Sequence, residues 1–208
     1  MKTENSRLRS LKYKHRFFFT SDYLLKKIGI NFTKAYIHSI KLDDFVIEKE
    51  PKTNNFTIKE CSIDDLPKFG ELSDLFLQDM QNSHVLIAAF LEDEWVGYNW
   101  ISLKPIEVEE VERDIHFTGA YLYRAYVKKE YRQRGIMKKI MYLALNQIKN
   151  KYKRNEVYAI TETANVPAIK TLESYGFSVV GTIKYSKLFL WEKYEEKIKN
   201  NTVTLLEE

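Results

Sequence analysis

Residues 131–139 read YRQRGIMKK and connect two segments that have different patterns of apolar residues. The preceding segment, AYLYRAYV at residues 120–127, is rich in aromatic and β-branched side chains and contains neither proline nor glycine, which predicts a buried strand. In the following segment, apolar residues recur at helical spacing, as Ile136, Met137, Ile140, Met141, Ala144 and Ile148. This spacing predicts an amphipathic helix whose first turn begins at Gly135.

The turn between this strand and this helix has the chemistry of an anion-binding site. The first N–H groups of a helix lack an intrahelical acceptor, and the helix dipole adds positive potential at that end. Gly135 has no side chain to keep a phosphate from the backbone, and four cations surround it: Arg132, Arg134, Lys138 and Lys139. The turn therefore predicts a phosphate or pyrophosphate site, although a basic loop between two core elements fits the same residues.

The residues of this turn resemble the first motif of the GNAT family of N-acetyltransferases. In Arg132-x-x-Gly135-x-Met137, the arginine and the glycine match the family signature Arg/Gln-x-x-Gly-x-Gly/Ala. Tyr131 before the arginine fits the same pattern. Met137 departs from it, since the family has glycine or alanine there, and its side chain would either crowd a pyrophosphate or point into the core.

A second stretch resembles the other recognisable motif of the same family, Asn-x-x-Ala followed by Gly-Phe. Here it consists of Asn165-x-x-Ala168 and then Gly176-Phe177, and the glycine follows the asparagine by eleven positions, as in the family. Two motifs in the family order, with a predicted strand between them, are more specific than either one alone. The resemblance covers residues 56–194.

The resemblance implies an α/β (α+β) fold with a mixed, mostly antiparallel sheet and helices on both faces. The hydrophobic pattern agrees with this fold and predicts strands at residues 56–60, 84–91, 94–103, 120–127 and 156–161. Predicted helices begin near residues 62, 70, 136 and 166, and a closing strand pair around Gly181 is predicted at residues 177–183 and 184–193. The acidic stretch 106–118 fits a solvated hairpin tip or a surface that attracts a cationic amine.

The predicted domain organisation has three parts: a basic, aromatic N-terminal extension (1–50), an acetyltransferase domain (51–194) and a polar tail (195–208). Residues 1–41 contain ten Lys or Arg and two acids, a formal charge of +8, whereas the remainder of the chain is formally −4. Such a segment can bind nucleic acid or an anionic membrane. We expect it instead to pack on its own domain or on a second copy in a homodimer.

Two elements are predicted within this extension. Apolar residues between positions 17 and 28 predict a short helix or turn region with an apolar face, and residues 34–40 alternate as a strand does. The polar stretch 49–55, which contains Pro51, predicts the boundary to the next domain.

The composition narrows the class of protein. No run of about 18 apolar residues occurs, so no transmembrane segment is predicted. The N-terminus has no apolar signal core, and the single Cys61 cannot form an internal disulfide, which favours a cytoplasmic protein. The four histidines are scattered without zinc-ligand spacing, so no metal site is predicted.

The resemblance implies transfer of an acetyl group from acetyl-CoA to a primary amine by direct attack of the amine on the thioester. The expected acceptor is a small molecule or an amino sugar. The pantetheine arm would lie along the strand edge and the pyrophosphate at the turn. Asn165 would contact the cofactor too, although a helix cap alone also fits it. The implied acetyl-CoA contacts are Ala125, Tyr126, Val127, Arg132, Gln133, Arg134, Gly135, Ile136, Met137, Lys138, Asn165 and Ala168.

The sequence departs from the family where an acid and a base are expected. Many members carry a glutamate on the strand before the turn, where this chain has Tyr121 and Tyr123. The tyrosine that often acts as the acid corresponds to Leu172, and Tyr175 follows three positions later. The candidates are therefore Tyr175 as acid, and Tyr123, Glu60 or His116 as base. An amine that arrives deprotonated, or a water relay, would need no dedicated base.

These departures leave two other functions open. Without an acid and a base, the chain would be an acyl-CoA-binding regulatory or partner protein that has lost catalysis. Alternatively, residues 1–41 would act as an arm that binds nucleic acid or membrane, and the affinity of such an arm should fall steeply with salt.

Overall fold

The computed structural model describes residues 30–43, 55–108, 113–198 and 203–205. Its helices are a 3₁₀ helix (Ile63–Leu72), α1 (Ser73–Gln81), α2 (Ile136–Asn146) and α3 (Val166–Ser174), and α2 continues as a π-helical turn (Gln147–Lys151). Its strands are β1 (Ile30–Lys41), β2 (Thr57–Glu60), β3 (Val85–Leu91), β4 (Glu94–Ser102), β5 (Ile106–Val108), β6 (Arg113–Phe117), β7 (Ala120–Val127), β8 (Glu156–Glu162), β9 (Ser178–Leu188), β10 (Trp191–Ile198) and β11 (Val203–Leu205).

Eight of these strands form one sheet in the order β10-β9-β1-β8-β7-β4-β3-β2. The pair β7 and β8 is parallel, whereas the other pairs of this sheet are antiparallel. Strands β11, β6 and β5 form a second, three-stranded sheet. The predicted fold class, a mixed and mostly antiparallel sheet with helices, is confirmed.

Three hydrophobic clusters cover the two faces of the large sheet. On one face, the apolar residues of α2, together with Leu172 of α3, pack on β3, β4, β7 and β8. On the other face, the 3₁₀ helix and α1 cover β3 and β4 with aromatic contacts such as Phe76 against Trp100. The small sheet covers the β1, β8 and β9 part of that second face, where Ile115 and Phe117 pack beside Tyr158. Helices therefore lie on both faces, as predicted.

Strand β1 lies inside the large sheet and corrects the predicted domain boundary. It pairs along its length with β9 on one side and with β8 on the other, for example Ile37 with Gly181 and with Ile160. Ala35 and Ile37 are completely buried. Residues 30–41 therefore belong to the domain itself and not to an appended extension (1–50). The prediction for residues 17–28 lies outside the described residues, as does most of the predicted boundary 49–55.

The end of the chain also differs from its prediction. The expected break between residues 183 and 184 is wrong, because β9 runs through it to Leu188 and the hairpin turn falls at Phe189, whose φ is 54°. Gly181 is needed for close packing instead, since a Cβ there would lie 3.2 Å from the Cδ1 of Ile37. The predicted polar tail (195–208) begins within β10, and β11 pairs with β6.

The described helices are short. None of them, within the described ranges, has the length and hydrophobicity needed to cross a lipid bilayer.

The central position of β1 leads to a stability prediction. Replacing Ile37 by alanine removes a fully buried side chain of the strand between β8 and β9, in the cluster beneath the small sheet. We expect the free energy of unfolding to fall by about 2–5 kcal/mol, because the cavity cannot collapse completely. The control is Lys34→Ala on the same strand, an exposed position, which should change stability by less than about 0.5 kcal/mol. Urea denaturation measures both, and equal effects would show that β1 is not part of the core.

Candidate functional site

The parallel strands β7 and β8 separate partway along their length. Their pairing ends at Leu122 and Ala159, although the strands continue to Val127 and Glu162. Beyond that point β7 pairs with β4 up to Val127, so only its other edge faces the gap. The backbone of residues 125–127 therefore presents hydrogen-bonding groups on the side from which β8 has withdrawn.

A bulge in β7 marks the place where the two strands separate. Arg124 has a φ of 48°, and the register between β4 and β7 shifts between Tyr98 and Trp100. The amide Nδ2 of Asn99, opposite the bulge, donates to the carbonyl of Tyr123 at 2.9 Å. A bulge increases the local twist of its strand, which turns the end of β7 away from β8.

The turn that follows β7 leaves several backbone donors available. Gln133 and Gly135 both have positive φ, 63° and 75°. The first helical hydrogen bond of α2 runs from the Lys139 N–H to the Gly135 carbonyl. No side chain in the described part of the chain caps this end of the helix. The N–H groups of the first turn, residues 136–138, are therefore available to an anion.

Basic side chains join the strand edge to the turn. The Nε of Arg132 donates to the carbonyl of Val127 at 3.0 Å, which ties the turn to the end of β7. The guanidinium of Arg134 lies over the ring of Tyr131, 5.4 Å from its centroid. Four residues of the turn are exposed: Arg132, Gln133, Arg134 and Lys138. The strand edge and the cationic turn thus form one continuous surface.

Met137, the residue that departs from the family signature, points into the protein. It is partly buried and packs against the hydrophobic cluster beneath α2, where Ile136 is also buried. The methionine therefore contributes to the core.

Asn165 caps α3, which is one of the two roles predicted for it. Its Oδ1 accepts a hydrogen bond from the Ala168 N–H at 3.3 Å, and Pro167 occupies the first turn. Its side chain is exposed at the end of the loop that follows β8. Contact of Asn165 and Ala168 with a cofactor stays a prediction.

Tyr175 links α3 to α2. Its hydroxyl donates a hydrogen bond to the carbonyl of Lys138, in the first turn of α2. Burial raises the pKa of the Tyr175 phenol well above its usual value. Leu172, at the family position of the acid, is buried in the core. This geometry favours a packing role for Tyr175. Its raised pKa keeps the phenol protonated near the turn, so its role as the acid stays a prediction.

Two of the predicted bases lie away from the gap. Glu60 is opposite Ile87 on the α2 face of the sheet, and its carboxylate binds Lys151 at 2.7 Å and Tyr152 at 2.9 Å beyond the far end of α2. His116 is exposed on β6, between the inward-facing residues 115 and 117. The structure brings neither residue to the gap.

Tyr123 does lie at the gap, and it has a partner that sequence analysis missed. The Tyr123 hydroxyl shares a hydrogen bond with Nδ1 of His84, which precedes β3. The neighbouring Arg124 forms an ion pair with the buried Asp79 of α1. Because His84 and Tyr123 are 39 positions apart in the chain, no local pattern could have indicated this contact.

The link between Tyr175 and α2 can be tested by substitution. We expect Tyr175→Phe to lower the free energy of unfolding by about 0.5–1.5 kcal/mol, because it deletes the hydrogen bond to the Lys138 carbonyl and keeps the ring. Tyr142→Phe is the matched control, since the half-buried Tyr142 hydroxyl has no hydrogen bond to other described residues. Denaturant unfolding curves compare the two variants, and unchanged stability in Tyr175→Phe would argue against the link.

Comparison with known structures finds the same fold at low identity. A protein from Drosophila is 14% identical, with a TM-score of 0.56 over 79% of this chain and 54% of that chain. A tandem GNAT protein from the clavulanic acid biosynthesis pathway is 12% identical, with a TM-score of 0.54 over 81% of this chain and 55% of that one. The present chain therefore spans about half the length of these two proteins.

An aminoglycoside acetyltransferase from an uncultured soil metagenomic sample, in complex with sisomicin, is 23% identical. Its TM-score is 0.42, over 59% of this chain and 88% of that one.

The sequence itself matches one family model over most of its length. No curated protein matches it. The model described as the Acetyltransferase (GNAT) family matches residues 52–177, a range that contains both the turn motif and the Asn165 motif. Membership of an acetyltransferase family supports acetyl transfer in general. The chain belongs to the GNAT acetyltransferase family.

Proposed function

We propose that this protein transfers an acetyl group from acetyl-CoA to a primary amine of a small molecule, such as an amino sugar. The observation that carries the proposal is the separation of β7 from β8 immediately before the cationic turn at Gly135. An unpaired strand edge and a row of helix N–H groups, joined through Arg132, match the two polar parts of coenzyme A.

The strand edge suits the pantetheine arm. This arm contains two amide groups in an extended chain, which can add to the edge of a sheet as a further strand. The backbone of residues 125–127 lacks β8 as a partner and offers such an edge. The side chain of Ala125 is small and exposed, so it leaves space in the gap.

The turn suits the pyrophosphate. Its N–H groups at residues 136–138 have no intrahelical acceptor, and the positive end of the α2 dipole lies at the same place. Arg132, Arg134 and Lys138 are exposed there and add formal positive charge. A carboxylate or phosphate of another ligand would find the same donors, so the strand edge is what favours coenzyme A.

The acceptor amine would approach from the opposite face of the sheet. On that face Tyr123 contacts both the cluster beneath α1 and the cluster beneath the small sheet. We propose that the acidic residues between β5 and β6 attract a cationic amine. Residues 109–112 of this stretch lie outside the described ranges. A cytoplasmic location and a homodimer through the N-terminal residues stay predictions.

Calorimetric titration with acetyl-CoA tests this proposal. We expect micromolar binding by the wild type and a loss of about 100-fold or more in Gly135→Glu. The carboxylate would repel the pyrophosphate and displace it from at least two charge-assisted hydrogen bonds, about 1.5 kcal/mol each, or roughly 3 kcal/mol in total. Turnover of a primary amine, measured by release of free thiol, should be lost in parallel.

Charge-matched variants show whether the effect is local. Arg134→Glu should weaken acetyl-CoA binding, whereas Arg154→Glu changes the same charge at an exposed position beyond the other end of α2 and should not. Equal losses in the two variants would indicate a general effect of net charge. Absence of acetyl-CoA binding by the folded wild type would contradict the proposal. Binding without turnover of any amine would favour an acyl-CoA-binding protein that has lost catalysis.

A further inference from the structure

His84 and Tyr123 form a hydrogen-bonded pair at the start of the gap. The bond joins Nδ1 of the imidazole to the phenolic hydroxyl, and the two rings meet edge to face with centroids 5.6 Å apart. Tyr123 is one position beyond Leu122, the last residue of β7 that pairs with β8. It is also two positions before Ala125, where the proposed pantetheine edge begins. The pair is therefore adjacent to the place where a thioester at the end of that arm would lie.

The pair lies on the face of the sheet opposite α2. Tyr123 is the cross-strand partner of Trp100, which is completely buried beneath α1. Cross-strand partners share a face, so Tyr123 lies on the proposed acceptor side. Tyr123 is half-buried and contacts both the cluster beneath α1 and the cluster beneath the small sheet. It therefore lies at the junction between α1 and the small sheet.

The surroundings hold the pair in place. The backbone N–H of His84 donates to the Asp79 carbonyl at 3.1 Å, and the ring of Tyr121 stacks on Tyr123 at 5.9 Å with an interplanar angle of 3°. The guanidinium of Arg124 lies 5.2 Å from the Tyr123 ring centroid and pairs with the Asp79 carboxylate. Titratable and charged groups near the pair, among the described residues, include Asp79 of α1, Tyr121 and Arg124 of β7, and Lys104, whose Nζ donates to Ser83 beside His84.

We propose that Tyr123 and His84 together accept the proton that the amine must lose before it attacks. This inference rests on the acetyl transfer proposed above. The Tyr123 hydroxyl takes a proton from the ammonium group while its own proton passes to Nδ1 of His84, in the tautomer that carries its proton on Nε2. Tyrosine alone is a poor base at neutral pH, whereas imidazole changes its charge between pH 5 and 8.

The reaction balances without a further reactant. The amine nitrogen bonds to the acetyl carbon, and the first proton of the ammonium group reaches His84 and then solvent. The carbon–sulfur bond breaks when the tetrahedral adduct collapses, and a second proton from the nitrogen ends on the thiol of coenzyme A. The products are an amide, a thiol and one released proton.

Two substitutions separate proton transfer from structure. His84→Asn keeps a hydrogen-bond acceptor near the position of Nδ1 but cannot take up a proton, and Tyr123→Phe keeps the stacked ring. The probe amine is whichever of spermidine, glucosamine or sisomicin the wild type acetylates fastest. At saturating acetyl-CoA we expect kcat to fall about 10²–10⁴-fold in each variant, with acetyl-CoA affinity unchanged within about twofold. His116→Asn, the same change at the exposed histidine of β6, should leave kcat unchanged.

The pH dependence gives a second and independent readout. A protonated imidazole cannot accept a proton, so kcat of the wild type should fall as the pH decreases from 8 to 5. His84→Asn should lose this acidic limb. The double variant His84→Asn/Tyr123→Phe should have about the same kcat as the slower single variant, because the effects of two groups that act as a unit are not additive.

The outcomes distinguish this inference from the proposed function. If His84→Asn turns over within about threefold of the wild type and keeps the same acidic limb, the inference is wrong and acetyl transfer stands. If the wild type binds acetyl-CoA but acetylates none of the probe amines, both are wrong. Should His84→Asn fail to fold by circular dichroism, Tyr123→Phe decides, and an unchanged kcat in that variant overturns the inference.

Discussion

Strands β7 and β8 run parallel for three paired residues and then separate, and the candidate site depends on this separation. The bulge at Arg124 makes the separation possible, because it twists the end of β7 while β4 continues to hold its other edge. The result is an unpaired strand edge inside a sheet. In a continuous sheet, the backbone N–H and C=O groups on this edge would form hydrogen bonds with β8. Arg132 then fixes the cationic turn to that edge through the Val127 carbonyl.

A gap in the middle of a sheet would weaken the fold if the strands beyond it were poorly held. Strand β1 holds the strands beyond the gap in place, because it pairs with both β8 and β9 and joins the outer strands to the centre of the sheet. On the helical face, Tyr175 connects α3 to the first turn of α2 across the same gap. The proposed cofactor contacts thus lie between two well-packed halves of one sheet, while the proposed acceptor side lies on the opposite face.

Local patterns in the sequence were sufficient for the turn at Gly135, for the Asn165 cap and for most strands. Contacts between distant segments were not predictable in this way. The alternation of residues 34–40 predicted a strand but could not show that it lies between β8 and β9. A strand break was predicted shortly after Gly181, whereas β9 is continuous there and Gly181 allows close packing against Ile37. The partner of Tyr123 is remote in the chain, so the pairing with His84 required the fold.

The central claim is that coenzyme A occupies the gap between β7 and β8 with its pyrophosphate at the turn. A crystal structure of the protein with bound coenzyme A tests it most directly. We predict amide hydrogen bonds between the pantetheine arm and the backbone of residues 125–127, and pyrophosphate oxygens within hydrogen-bonding distance of the N–H groups of residues 136–138. Coenzyme A bound elsewhere, with the gap and the turn free of it, would contradict the account.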